Sequence, residues 1–146
     1  MIFLVHHADA VDSTINPQRP LSPSGREHAE RLAQRAAQRG VKPAVIWHSG
    51  KLRARQTAEA FWQACNPLAE LSAIRGLQPA DPPAWIRDQV IRETRAVMLV
   101  GHMPHLPRLF TLLVTGREDP LLEFPMHGLI ALEIHDGDAT ESWRLR

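Results

Sequence analysis

The strongest constraint on the fold is a pair of short apolar runs that each lead to a histidine. Ile2-Phe3-Leu4-Val5 runs into His6 and His7, and Ala96-Val97-Met98-Leu99-Val100 runs through Gly101 into His102. Both runs are short and lack polar alternation, which suits strands buried on two faces. A third run, Ala44–His48, stops just before Ser49-Gly50 and a basic turn. Strands of this kind belong to a parallel sheet with helices on both sides. The intervening segments supply helical patterns. Ser22-Pro23 offers a cap and a first-turn proline, and Ala29, Leu32, Ala33, Ala36 and Ala37 then mark one buried face up to Gly40. Leu52, Ala58, Phe61 and Cys65 outline the inner face of a second helix. Asp81-Pro82 reads as the cap of a third over residues 83–94. Leu106, Leu109, Phe110 and Leu113 mark a fourth, closed by Gly116. A short strand is expected near Ala69–Ser72, and a hairpin over Leu129–His135 and Ser142–Leu145 around Asp136-Gly137-Asp138. The expected fold class is α/β: a three-layer α/β/α sandwich with a mostly parallel central sheet, residues 1–146 forming one domain.

Composition narrows the function. Hydrophobic residues make up 44% and charged residues 23%, as in water-soluble globular chains. No apolar run approaches the roughly 20 residues that span a bilayer, and the amino terminus lacks the basic front of a secretory signal, so a cytoplasmic location without membrane contact is expected. Cys65 is the lone cysteine, which excludes an intrachain disulfide and a thiolate metal cluster and suits a small core residue. Residues 1–57 carry nine lysines and arginines against four acids, and the rest eight against twelve. A basic amino-terminal half suggests an anionic ligand, although arginines within the first helix also fit its wet face. Aromatic residues are only 5% and no basic run interleaves with them, so no nucleic-acid partner is expected.

Ligands of open α/β sheets sit at the carboxyl ends of the strands. If the three apolar strands are parallel, His7, Arg53 and His102 converge on one rim. Two imidazoles and a guanidinium without metal-ligand spacing suit phosphoryl transfer: one histidine attacks phosphorus, and the others neutralise the equatorial oxygens. Asp9 adjoins His7 and is a candidate for acting on the leaving group or orienting His7. Asp81 is a weaker candidate, read first as a helix cap. His48 falls at the pocket wall, His105 at a helix start and His127 near the rim before the last hairpin. His28 and His135 read as surface residues. A metal hydrolase built from His6, His7, Asp9, His102 and His127 is the competing reading, but no His-Glu-x-x-His or comparable spacing supports it.

These segments resemble the histidine phosphatase superfamily, the phosphoglycerate mutase-like fold, and within it the small SixA-type phosphohistidine phosphatases. The signature Arg-His-Gly followed by an acid and alanine reads His6-His7-Ala8-Asp9-Ala10 here. The Arg-Pro-Leu-Ser/Thr-x-x-Gly segment reads Arg19-Pro20-Leu21-Ser22-Pro23-Ser24-Gly25. Ser-Pro-x-x-Arg-Ala-x-Gln-Thr reads Ser49-Gly50-Lys51-Leu52-Arg53-Ala54-Arg55-Gln56-Thr57, and Val-x-His-x-Pro reads Val100-Gly101-His102-Met103-Pro104. The final hairpin with Trp143 is also similar. The resemblance implies His7 as the nucleophile that becomes phosphohistidine, with His102 and Arg53 beside it in the catalytic set and Asp9 as the nearby acid. It implies phosphate contacts from His6, Ala8, Arg19, Ser49 and His127, inorganic phosphate as the product held there, and no metal or organic cofactor. The implied partner is a phosphohistidine-bearing protein or a small phosphorylated substrate.

Two positions depart from the pattern. His6 replaces the first arginine, and Ala8 replaces glycine. A guanidinium binds phosphate bidentately and permanently charged, whereas an imidazole is only partly charged at neutral pH. Activity rising as pH falls is therefore expected if protonated His6 binds phosphate. The alternative function is a phosphate- or phosphohistidine-binding module with weakened turnover. Residues of a regular strand alternate faces, so His6 and His7 share a pocket only if the strand breaks between them. Ala8 is costly if its backbone needs positive φ.

Overall fold

The computed structural model describes residues 1–146. Its elements in chain order are β1 (Ile2–His6), α1 (Pro23–Gln38), β2 (Val45–His48), α2 (Leu52–Cys65), β3 (Glu70–Ala73), α3 (Ala84–Arg92), β4 (Val97–Gly101), α4 (His105–Thr115), β5 (Leu129–His135) and β6 (Asp138–Leu145). They form one six-stranded sheet in the order β3-β2-β4-β1-β5-β6. The first four strands in that order run parallel, β5 runs antiparallel to β1, and β6 runs antiparallel to β5.

The apolar runs are explained by burial on two faces. Along β1, Ile2 and Leu4 enter one core with residues of β2, β4, α3 and α4, including Val45, Leu99, Ile86 and Leu109. Phe3 and Val5 enter the opposite core with Leu32, Ala33 and Ala36 of α1 and Ala54, Ala58 and Phe61 of α2. Side chains alternate across a strand, so both sets must be apolar. The result is the three-layer sandwich expected, with α1 and α2 on one face and α3 and α4 on the other. No helix is long and apolar enough to cross a membrane.

Local chemistry sets most element ends. The Ser22 hydroxyl accepts the Gly25 N–H at 3.0 Å and caps α1, with Pro23 in the first turn. Gly116, at φ 77°, closes α4 in the left-handed conformation. Asp136 (φ 53°) and Gly137 (φ 83°) form the two-residue turn between β5 and β6, the backbone pattern that matches strand twist. That turn lets β6 begin at Asp138, four residues before the expected Ser142. The cap of α3 is a correction: Asp81 does not cap it. Its Oδ2 accepts the Gln78 N–H at 2.9 Å within the preceding turn, and the helix opens after Pro83 without a side-chain cap. The arginines of α1 (Arg26, Arg31, Arg35, Arg39) are exposed, as a solvated helix face requires. The Arg39 guanidinium also lies 4.2 Å from the centre of the Trp143 ring, which ties the hairpin to α1.

Candidate active site

Parallel β1, β4 and β2 are neighbours in the sheet, so their carboxyl ends open on one rim. β1 pairs up to His6, opposite Gly101, and ends there. One residue further, the His7 N–H still donates to the Gly101 carbonyl at 3.1 Å. The break after His6 removes the alternation rule, and the two rings stand 4.5 Å apart, centre to centre. His102, just past β4, brings its ring 5.0 Å from that of His7.

The tautomer of His7 is set by its neighbour. Its Nδ1–H donates to the Ala8 carbonyl at 2.7 Å, which leaves the lone pair on Nε2. Burial, followed by the Arg53 charge, lowers its pKa to about 4 against the raising effect of that hydrogen bond. At neutral pH the ring is thus uncharged, with a free lone pair on Nε2. Ala8 serves the site through its backbone. Its N–H donates to Thr57 Oγ1 at 3.0 Å, and the Thr57 hydroxyl donates to the Arg53 carbonyl at 2.8 Å. These bonds tie the His7 turn to the start of α2, where Arg53 sits. Ala8 φ is not positive, and its methyl group packs with Leu21 and Ala29, so the alanine carries no backbone strain.

Arg53 lies in the first turn of α2, half-buried, and its Nε is buried without a protein partner. Burial, then the charge of Arg19, lowers its pKa. Arg19 reaches the same cleft from the 9–21 loop. Its Nε donates to the Val11 carbonyl at 3.0 Å, its φ is 50°, and its charge also lowers the pKa of His7. Ser49, buried at the end of β2, places Oγ 2.6 Å from His102 Nε2. That oxygen also accepts the Lys51 N–H at 3.3 Å, leaving its own hydrogen free for His102. In that arrangement the neutral His102 ring carries its proton on Nδ1, which is buried without a protein partner. His48 braces the turn: its Nδ1 accepts the Gly50 N–H at 3.0 Å.

Asp9 stands apart from the histidines. It is exposed, its Oδ2 accepts the Ser22 hydroxyl at 2.7 Å, and its carbonyl accepts the Ser22 N–H at 3.0 Å. Its carboxylate is thus engaged at the start of α1. His127, by contrast, is drawn fully into the site. Its N–H donates to His6 Nδ1 at 2.8 Å, its Nδ1–H donates to the His7 carbonyl at 2.7 Å, and its ring stacks on His6 at 4.8 Å and 5°. Its φ of 54° lies in the left-handed region, which residues with a β-carbon adopt infrequently. His28 Nε2–H donates to the His127 carbonyl at 3.0 Å, so His28 is a half-buried support of the rim rather than the surface residue expected.

Nitrogens of His6, His7 and His127 all lie within 4.8 Å of one another, a spacing compatible with a metal ligand set. The hydrogen bonds argue against that use. His6 Nδ1 already accepts an amide hydrogen, so the neutral ring holds its proton on Nε2 and offers no free lone pair. Two lone pairs remain, fewer than the three protein ligands of a catalytic zinc site. A cavity of about 670 Å³ between α1 and α2 contains none of these histidines.

Five buried or half-buried histidines have depressed pKa values, chiefly from burial: His6 to about 3, His7 to about 4, His102 to about 2, His105 to about 4, and His48 below its ordinary value. As pH falls below the ordinary value of about 6.5, the unfolded chain therefore takes up protons that the folded chain refuses. Stability from these groups is complete above that pH and declines down to about pH 4 for His7 and His105, and further, to about pH 3 and about pH 2, for His6 and His102. Each such histidine changes the unfolding free energy by about 1.4 kcal/mol per pH unit. Urea denaturation is expected to show a loss of at least about 1.4 kcal/mol between about pH 7 and about pH 5.5. A flat profile contradicts the burial of these rings in neutral form.

Comparison with known proteins meets this geometry. The profile of the histidine phosphatase superfamily (branch 1) matches residues 2–96. An uncharacterized protein of Picosynechococcus sp. is 31% identical over 130 residues, covering 86% of this chain and 78% of that one. The structure of the protein histidine phosphatase SixA complexed with tungstate superposes with a TM-score of 0.86 at 22% identity, over 99% of this chain and 95% of that one. A provisionally assigned phosphohistidine phosphatase SixA from Agrobacterium tumefaciens gives 0.84 at 26% identity, over 99% and 96%. The architecture is therefore the phosphoglycerate mutase-like fold. With the profile spanning most of the chain, and the segments around His7, Gly25, Arg53 and His102 assembled at one end of this sheet, the chain belongs to the histidine phosphatase superfamily.

Proposed function

We propose that the chain is a phosphatase that acts through a phospho-His7 intermediate, with phosphohistidine on a protein as its preferred substrate. The observation that carries this reading is the Nδ1–H of His7 held on the Ala8 carbonyl at 2.7 Å, which leaves Nε2 as a free nucleophile. In the first step Nε2 attacks phosphorus, and the bond from phosphorus to the leaving nitrogen breaks. The leaving imidazole keeps a proton, so it departs without strong acid assistance. In the second step water attacks phosphorus, the bond from phosphorus to His7 Nε2 breaks, the water's oxygen and its protons leave on inorganic phosphate, and Nε2 regains its lone pair. Arg53 binds the equatorial oxygens, its Nε gaining the partner it lacks within the protein, and His102 stands beside them with its Nε2 turned to the Ser49 hydroxyl. Arg19, Ser49, His6 and His127 complete the phosphate-binding cleft. Asp9 helps by fixing the loop after His7 to α1.

The likeness to SixA, one solved structure of which holds tungstate, favours phosphohistidine over a carbon ester. So does the engagement of Asp9 with Ser22, because an ester oxygen needs a proton donor more than an imidazole does. The test compares a phosphohistidine peptide with a phosphoserine peptide of the same sequence. A kcat/KM at least about 100-fold higher for phosphohistidine is expected, the size of a typical general-acid contribution. Faster cleavage of phosphoserine overturns the preference. The replacement of the first arginine by His6 favours a second reading, a phosphohistidine-binding module with weakened turnover. Calorimetric binding of phosphate without hydrolysis of either peptide selects it.

A further inference from the structure

His6 is the residue that departs most from the family pattern, and its surroundings are specific. The His127 amide lies 2.8 Å from His6 Nδ1. A backbone N–H can only donate, so Nδ1 must be an acceptor and cannot carry a proton. The single proton of the neutral ring is then on Nε2. Protonating the ring would set Nδ1–H against the amide hydrogen and break this bond. The two rings are also stacked at 5°, which holds the His6 plane in place. His6 Nε2 has no protein partner, yet it is not among the fully buried unpaired atoms, so it keeps contact with solvent, and the His6 ring lies beside those of His7 and His127. Burial first, then the charges of His7, His127 and Arg53, depresses the His6 pKa to about 3, in keeping with the neutral ring.

We infer that His6 binds the phosphoryl group as a neutral residue, donating Nε2–H to an equatorial oxygen, and that the His127 backbone fixes this tautomer. This rests on the cleft being the phosphoryl site proposed above. It replaces the expectation that His6 acts by becoming charged. An arginine at this position contributes a permanent charge; His6 contributes one oriented donor whose strength does not follow pH. A neutral hydrogen bond is roughly half as strong as a charged one, so the pocket retains direction at the cost of grip. His127 is thereby a positioning residue. Its left-handed backbone at φ 54° is what turns its N–H toward His6.

The test uses the full chain and inorganic sulfate, an anion that keeps its double charge between about pH 8 and about pH 5.5. Long-range proton–nitrogen correlation spectra should place the His6 proton on Nε2 throughout that range, and sulfate should move that signal. The variant His6→Asn keeps an acceptor near the Nδ1 position for the His127 N–H but lacks the reach of Nε2–H. It should fold with nearly the parent's melting temperature and bind sulfate about threefold to tenfold more weakly, the value of one neutral hydrogen bond. The ratio of parent to variant affinity should stay constant with pH. The groups facing His6 are His7 on its own strand end, His102 after β4, Arg53 on α2 and His127 before β5, with Arg19 of the 9–21 loop acting on Arg53 and His7 beyond them. They are common to both proteins and cancel in that ratio.

A ratio that grows as pH falls, a proton on Nδ1, or equal sulfate affinity of parent and variant each overturns the inference. His6→Gln gives a second reading if the asparagine variant is unstable, because its amide can place a neutral donor near Nε2; it should recover most of the sulfate affinity lost in His6→Ala. Failure of the phosphatase reading is separable: it appears as sulfate binding with the expected His6 signal but no turnover of any phosphorylated peptide.

Discussion

A His7→Ala variant will hydrolyse a phosphohistidine peptide at least about a thousandfold more slowly than the parent and will trap no phosphoenzyme. The size follows from the route. Without an imidazole at position 7 there is no covalent intermediate, and direct attack by water loses the advantage of a positioned nucleophile. Fold should survive. The His7 backbone bond to Gly101 does not involve the side chain, and the ring is only half-buried at the edge of the cleft. The melting temperature is therefore expected to shift by a few degrees at most, since about 1 kcal/mol moves a chain of this size by roughly 2–4 °C. The trapping experiment mixes enzyme with labelled substrate and quenches in alkali, where phosphohistidine survives. Label on the parent and none on the variant is the expected result. A variant that turns over at the parent's rate removes His7 from the mechanism. The pH dependence follows from the same ring. Because its pKa lies near 4, rate loss through protonation of His7 begins only as pH approaches that value from above. His6, neutral at every working pH, adds no rise at mild acidity.

How much of this was legible in the sequence differs by kind of interaction. The apolar strands β1, β2 and β4 were readable because burial on two faces leaves an unbroken run, and the start of α1 because Ser22 and Pro23 act within four residues of each other. The convergence of His7, Arg53 and His102 follows from β1, β2 and β4 running parallel as neighbours. What was hidden depends on atoms rather than residue types. Asp9 adjoins His7 in the chain, yet its carboxylate is held by Ser22, thirteen residues away, because the loop is folded back by pairing of Ala10 with Leu21. The His6–His127 pair spans 121 residues and uses a backbone N–H, which no side-chain pattern announces. Thr57 and Gln56 sit in a recognised segment, but their tasks were not evident. Thr57 accepts the Ala8 N–H, and Gln56 Oε1 accepts the Leu21 N–H at 2.8 Å. Both join separate motifs to one another, a role that spacing along the chain does not reveal.

Gly25 is where that joining is tightest, and Gly25→Ala is expected to be the most damaging small substitution in the chain. A β-carbon there would stand 2.0 Å from the Asp9 carbonyl oxygen, 2.9 Å from its carbon and 3.0 Å from its nitrogen. All three are backbone atoms, so no side-chain rotation relieves the clash. The same carbonyl accepts the Ser22 N–H, and Asp9 Oδ2 accepts the Ser22 hydroxyl, so moving Asp9 also disturbs the cap of α1. Overpacking of this kind costs about 1–3 kcal/mol and loss of a cap about 1 kcal/mol. A fall in melting temperature of roughly 10 °C is the expected sum at this chain length. The consequence reaches the chemistry, because Asp9 follows Ala8, whose carbonyl holds His7 Nδ1–H and whose N–H is pinned by Thr57. A shift of about 1 Å in that turn moves Nε2 off its line of attack and is expected to cost on the order of 100-fold in kcat. The measurement pairs a thermal melt with kcat at a temperature where the variant remains folded. A melt and a kcat within error of the parent would show that the Asp9 turn can move aside freely, and with it that the close approach of α1 does not position His7. Ser22→Ala supplies the graded comparison. It removes the cap and the Asp9 contact without the clash, and should lose about 1 kcal/mol of stability while keeping most of kcat.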